Sequence, residues 1–242
     1  MTVSYGGSIV TSGLTMMLDA ANTRSYPGSG TAWNDISGNG NTGTLRSSPT
    51  YSSNNLGYFS FNGSSQYVSI PISSTFALTG NNFTIDIWFN LTAYLSSYNG
   101  GYAGMIFATT NTLLANGGNY GFQVGLFGTA SSYTSVFLYA NNGALNTGNI
   151  AQAFSLNTWY NITLTHTAAG AFVIYLNGTQ FTTLTNATTW TDNSPASIAY
   201  NPQTGYNDYL PAKIGNFKFY NQVLSAAQVA QNFVAYRGRY GV

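Results

Sequence analysis

The chain of 242 residues carries five aspartates (Asp19, Asp35, Asp86, Asp192, Asp208), one histidine (His166), no glutamate and no cysteine. Glycosidic cleavage ordinarily needs one protonated and one ionised carboxyl about 5–9 Å apart. No two aspartates lie within two residues of each other. Asp86 has Thr84 and Trp88 at the alternate positions where a partner carboxyl would sit. Serine hydrolysis has only His166 as a base, and no Gly-x-Ser-x-Gly elbow is present. His166 shares the parity of Tyr160, Ile162 and Leu164, which makes it a strand-end residue rather than a catalyst. Without cysteine there is no disulfide, no thiolate zinc site and no thiol nucleophile. No glycine-rich loop ends in Lys-Ser or Lys-Thr to cradle phosphate. The expected protein is not an enzyme.

Binding chemistry is better represented. Asp35, Ser37 and Asn39 place side-chain oxygens at positions 1, 3 and 5 of a loop with Gly40 at position 6, as at the start of a Ca²⁺ loop. Position 12 is Arg46, so the loop offers one formal charge. It reads either as a Gly/Asn-rich turn closed by its own hydrogen bonds or as a weak, structural Ca²⁺ site; beyond that Ca²⁺ no cofactor is expected. Sugars need flat aromatic faces with amide and carboxyl groups beside them. Trp190, Asp192, Tyr200, Tyr206, Asp208 and Tyr209 fall in a segment poor in strand signals and make the main carbohydrate-binding candidate; Trp33 beside Asp35 makes a second. The competing reading packs these rings against neighbouring loops or subunits. The tail sets Arg237 and Arg239 between Tyr236 and Tyr240, either as an anchor to a partner or as a solvated end. An N-terminal arm, residues 1–12, is a second anchor candidate.

Charge narrows the partners. Six Lys plus Arg against five Asp give +1, and charged residues are 5% of the chain, against about 25% in ordinary soluble domains. No basic face exists to neutralise phosphates, so nucleic acid is not an expected partner. The longest apolar run, Ala171 to Leu176, falls far short of the roughly 20 residues of a membrane helix. No Lys or Arg precedes Arg24, so no secretory signal is read, and cytoplasmic synthesis is expected. Hydrophobic residues at 44%, with 19 Tyr and 15 Phe, suffice for a core.

The elements that must position these groups are strands. Phe83, Ile85, Ile87, Phe89 and Leu91 alternate with Thr84, Asp86, Trp88 and Asn90, which predicts a strand with one face in a core. Residues 171–184 predict a hairpin about Asn177-Gly178, the pair a type I′ turn favours. Further strands are expected at 57–61, 66–70, 103–108, 119–127, 134–140, 158–166 and 212–220, the last with a bulge near Gly215-Asn216. A short helix is predicted at about 225–236: Ser225 and Gln228 form a capping box, Val229, Phe233 and Tyr236 share a face, and Gly238 supplies the stop. The class is all-β, as one domain over 13–242.

Several segments occur in a telling order: Gly13 to Asn22, Ser25 to Gly30, Trp33 to Asn41, Phe61 to Val68, Phe83 to Trp88, Trp159 to Thr163, Tyr175 to Gly178, and Ile214 to Gln228. Together they resemble the laminin-G-like, concanavalin A-like lectin/glucanase domain in the form found in tailed-phage structural proteins. The resemblance implies a jelly-roll sandwich of two curved antiparallel sheets, with any ligand on the concave face or a rim loop. Asn62 to Gln66 departs from the more Asp-rich segment of related sequences, which weakens the Ca²⁺ reading. The function implied is a non-enzymatic virion structural protein decorating capsid or tail. The alternative is a lectin-like adhesion module of a tail fibre, with a glycoside hydrolase a distant third. Expected partners are other virion proteins and host-surface polysaccharide, with the chain homo-oligomeric or assembly-bound in the virion.

Overall fold

A computed structural model describes residues 7–71, 73–78, 80–94, 103–110, 120–140, 145–186, 195–202 and 208–242. Strands are numbered in chain order. The first sheet runs β15 (Thr179–Thr185), β14 (Ala171–Leu176), β13 (Trp159–His166), β7 (Phe83–Leu91), β17 (Pro211–Tyr220), β5 (Tyr58–Asn62) and β4 (Thr50–Ser52), and β1 (Leu14–Asp19) also pairs with β17. The second runs β11 (Leu145–Asn146), β10 (Ser132–Ala140), β9 (Tyr120–Thr129), β8 (Ala103–Thr110), β16 (Ala196–Ile198), β6 (Tyr67–Ile70), β3 (Gly43–Arg46) and β2 (Ala32–Trp33). Strand β12 (Ile150–Phe154) pairs with β10 off this path. Every pairing between these strands is antiparallel, and the architecture is the expected sandwich.

Alternation builds the core between the sheets. Phe83 meets Phe122 edge-on at 5.8 Å, Phe107 stacks on Phe217 at 5.7 Å, and Phe122 stacks on Phe172 at 5.9 Å. The hairpin forms as expected, with Asn177 at φ 50° and Gly178 at φ 75°. The bulge in β17 falls between Ile214 and Asn216. There Gly215 lies under the helix, where a Cβ would collide with the Tyr240 hydroxyl.

One expectation is corrected: β7 is buried on both faces. Trp88, on its outer face, lies under α1 (Ala226–Tyr240), which packs on the outer side of the first sheet. Trp88 stacks on Phe233 and Tyr240, and Thr84 Oγ1 accepts from the backbone N–H of Leu224 where the chain enters the helix. The capping box of Ser225 and Gln228 is present, but the helix runs through Gly238 and ends at Gly241, at φ 72°. Val10 is pinned beside it: its N–H donates to Asn232 and its carbonyl accepts from Tyr220. Among the described residues no helix is long and apolar enough to cross a membrane.

Candidate functional site

On the second sheet, Val68 and Ile70 point into the core, so Tyr67 and Ser69 point outward. Strand β16 lies beside β6, with Ile198 opposite Val68. Ala199 follows at φ 66°, a left-handed conformation that breaks the alternation. Beyond it the chain pairs with 208–210: Leu210 N–H donates to Ala199, and Asn201 N–H to Asp208. This short ladder sets Tyr200 and Tyr209 face to face, with ring centroids 4.3 Å apart. Tyr67 completes the group, 4.7 Å from Tyr200 and 6.3 Å from Tyr209. All three rings are half-buried, so each keeps an open surface.

Polar groups lie beside this platform. Asp208 Oδ2 accepts from Asn201 Nδ2 at 3.1 Å, and Asn201 Oδ1 accepts from Gln123. Burial pushes the Asp208 carboxyl above the usual carboxylate range, partly offset by the Asn201 bond. Burial, together with the neighbouring Tyr209, Tyr67 and Asp208, pushes the Tyr200 phenol up to about 12, so it stays a neutral donor. Asn201 and Asp208 are themselves buried, so the surface a sugar can meet here is the half-exposed aromatic faces.

Of the expected sugar-binding residues, the structure brings Tyr200 and Tyr209 together at the surface, whereas Asp208 is buried beneath it. Trp190, Asp192 and Tyr206 lie outside the described residues. Trp33 is corrected: it is fully buried, edge-on to Phe59 at 4.9 Å, and has no face for a ligand. Tyr67 is the addition. Its signal was present in the alternation of Tyr67-Val68-Ser69-Ile70, but sequence could not show that Tyr200 would fold beside it.

The Asp35 loop is closed by its own donors. Asp35 Oδ1 accepts from the N–H groups of Met17 at 2.8 Å and Ser37 at 2.9 Å; Oδ2 accepts from Asn41 N–H and Ser37 Oγ, both at 2.9 Å. Asn39 turns its amide onto Ser37 Oγ at 3.1 Å. Asp35, Ser37 and Asn39 form a hydrogen-bonded turn, and a cation here would have to displace these donors. Among the described residues no cluster of three His, Cys, Asp or Glu exists. Thermal melts in millimolar Ca²⁺ and in excess EDTA should therefore coincide. Asp35→Ala should cost about 2 kcal/mol, because three backbone N–H groups lose a charged acceptor. A Ca²⁺-dependent rise in Tm would reverse this assignment.

The other charged candidates also face inward. Arg239 is buried, with Nη1 2.7 Å from Asp19 Oδ1, Nη2 donating to Gly57 O at 2.6 Å, and Nε donating to Asn55 O. It locks the helix to the sandwich and does not reach for a partner; of the two expected anchors only Arg237 is exposed. Asp86 and Lys218 form a fully buried pair at 2.8 Å. His166 packs between Phe83 and Phe172, its Nδ1 2.9 Å from Asn81 O, and burial holds its imidazole below the usual histidine range. Each of the four described aspartates is thus engaged with its own partners.

Residues 62–230 match the family model for laminin-G domains of the concanavalin A-like lectin/glucanases superfamily. No curated protein sequence matches the chain. Among solved structures, the binding domain of botulinum neurotoxin DC in complex with SialylT is similar at 14% identity and TM-score 0.70, covering 93% of this chain and 52% of that one. Domain 4 of AbnA, a GH43 extracellular arabinanase from Geobacillus stearothermophilus, in complex with arabinotriose, is similar at 15% identity and TM-score 0.63, covering 90% and 97%. A Trypanosoma rangeli sialidase in complex with sialic acid is similar at 16% identity and TM-score 0.65, covering 95% and 34%. The chain therefore spans about half the length of the neurotoxin domain and a third of the sialidase. Such identities speak for the fold alone, while the family match covers well over half of the chain: it belongs to the concanavalin A-like lectin/glucanases superfamily, in its laminin-G branch.

Proposed function

We propose that this domain is a non-catalytic, carbohydrate-binding contact module on the surface of a tailed-phage particle. The observation that carries the binding role is the half-buried group of Tyr67, Tyr200 and Tyr209, backed by the buried Asp208–Asn201 pair. A neighbour matched over nearly its whole length, domain 4 of the arabinanase AbnA, is in complex with arabinotriose, which supports the reading. The non-catalytic role is supported by the aspartates: Asp19 and Asp86 are neutralised by Arg239 and Lys218, and Asp35 is saturated by donors. The particle setting is supported by the likeness of Ser25 to Gly30 and Leu224 to Tyr240 to phage structural proteins. With its described carboxylates engaged within the fold, the domain contacts partners through Ser, Thr, Asn, Gly and Tyr, which form adaptable hydrogen bonds and low-entropy aromatic contacts.

A glycan array tests the binding role. Tyr200→Ala should weaken any sugar found by roughly thirty-fold, about 2 kcal/mol for a truncated aromatic anchor. Trp33→Ala is unsuitable as a site probe, since it would empty the core. Hydrolysis of a bound glycan by the pure protein would refute the non-catalytic reading. Mass spectrometry of purified particles tests the setting: hundreds of copies would indicate head or sheath decoration, a handful a fibre or baseplate, and none would remove it.

A further inference from the structure

We infer that the tyrosine platform selects acidic glycans, with Arg46 holding the sugar carboxylate; this rests on the reading above that the platform binds sugar. Arg46 ends β3 directly opposite Tyr67, and the two residues share the outer face of the second sheet. Opposed residues on paired strands have Cβ atoms about 4.5–5.5 Å apart. Tyr200 flanks Tyr67 on the other side, through β16. Arg46, Tyr67 and Tyr200 therefore form a row across adjacent strands, about 10 Å from end to end at the spacing of a sheet. A ring lying on the tyrosines can direct an acidic substituent toward the guanidinium.

Arg46 is free to take it. The side chain is exposed and makes no hydrogen bond or ion pair with the described residues. Nor does a described carboxylate compete for it. Asp19 and Asp86 are paired elsewhere, Asp35 is held by four donors, and Asp208 is buried against Asn201. A planar guanidinium fork matches a carboxylate through two parallel hydrogen bonds, which a lysine could not reproduce.

The backbone around Arg46 is held in place. Ser47 and Ser48 follow it at φ 58° and φ 54°, two consecutive non-glycine residues in the left-handed region. Such conformations persist where the surroundings impose them, and they gather at ligand sites. Here Gln66 imposes them. Its Nε2 donates to Ser47 O at 3.2 Å and Ser48 O at 2.9 Å, while its Oε1 accepts from Asn62 N–H at 3.0 Å. Gln66 immediately precedes Tyr67, so the clasp fixes the arginine-bearing turn to the platform strand.

Calorimetric titration with matched probes tests this: sialyllactose against lactose, and a polyuronate against its carboxyl-reduced polymer, at low and physiological salt. The acidic member of at least one pair should bind roughly ten-fold tighter, the yield of a charge-assisted hydrogen-bonded contact. The advantage should shrink at higher salt. Arg46→Gln should erase the difference while leaving neutral binding intact, and Arg24→Gln, an exposed arginine off the platform, should change nothing. Tyr200→Ala should lose both members. Equal affinity within each pair, or an acidic preference that survives Arg46→Gln, overturns the role of Arg46 but leaves the sugar platform standing. Binding of no probe and of no glycan on the array overturns the platform and this inference together.

Discussion

Asp86→Ala is expected to lower the unfolding free energy by about 3–5 kcal/mol, the cost of stranding a buried charge. Neither Asp86 nor Lys218 has measurable solvent exposure, and their atoms meet at 2.8 Å. Lys218 Nζ also donates to Asn216 Oδ1 at 2.9 Å and lies 4.2 Å from the Tyr236 ring centroid; Asp86 Oδ2 accepts from Thr163 Oγ1 at 3.0 Å. Without Asp86 the ammonium keeps one neutral acceptor and one ring face, too little for a cation removed from water. Typical domains hold about 5–15 kcal/mol in total, so this loss would be visible in urea titration as a large fall in midpoint. The double variant Asp86→Leu with Lys218→Met should recover most of it, because matched apolar groups carry no desolvation cost. Near-wild-type stability of Asp86→Ala would mean that water or another acceptor reaches Lys218.

The buried pair also marks where sequence reading stopped. Period-two alternation located Phe83–Leu91 and separated its faces, because that period belongs to the strand itself. It could not show what covers the even face. Thr84 and Asp86 look like a solvated edge until the helix and the segment leading into it cover them. The same holds for Trp33: its ring suits a sugar in isolation, and only the packing on Phe59 shows that it is filler. Local turn chemistry was more legible, since Asn177-Gly178 and the Ser225–Gln228 box act through neighbours a few residues away. The helix runs past Gly238 for a tertiary reason. Gly238 disfavours helix by about 1 kcal/mol. The buried contacts of Arg239 and Tyr240 beyond it outweigh that cost, and Gly241 takes the left-handed cap. At the site, Tyr200, Asp208 and Tyr209 are close in sequence and could be grouped. Tyr67 joins only through the pairing of β6 with β16, and Arg46 through that of β3 with β6.

Trp88→Ala should cost a similar amount, about 3–5 kcal/mol for a large buried aromatic, yet fail in a different manner. Trp88 is fully buried, parallel to Phe233 at 5.5 Å and to Tyr240 at 4.4 Å. Tyr240 is also packed on Trp159 at 4.4 Å, so the indole sits at the centre of the seam between helix and sheet. The inner face of β7 does not depend on it. The expected defect is therefore release of α1 from a sandwich that remains assembled. Trypsin should report this at Arg237, which is exposed but protected by helical backbone in the intact protein. Cleavage there should accelerate in Trp88→Ala while the rest of the chain stays resistant. Trp88→Phe should lose much less, because a ring remains to stack and the indole Nε1, which has no partner among the described residues, is removed. Released helix would also admit water to Lys218 and Asp86, weakening their attraction as the local dielectric rises. Combining Asp86→Ala with Trp88→Ala should therefore cost less than the sum of the two. Full additivity would show that the buried ion pair and the aromatic seam act independently.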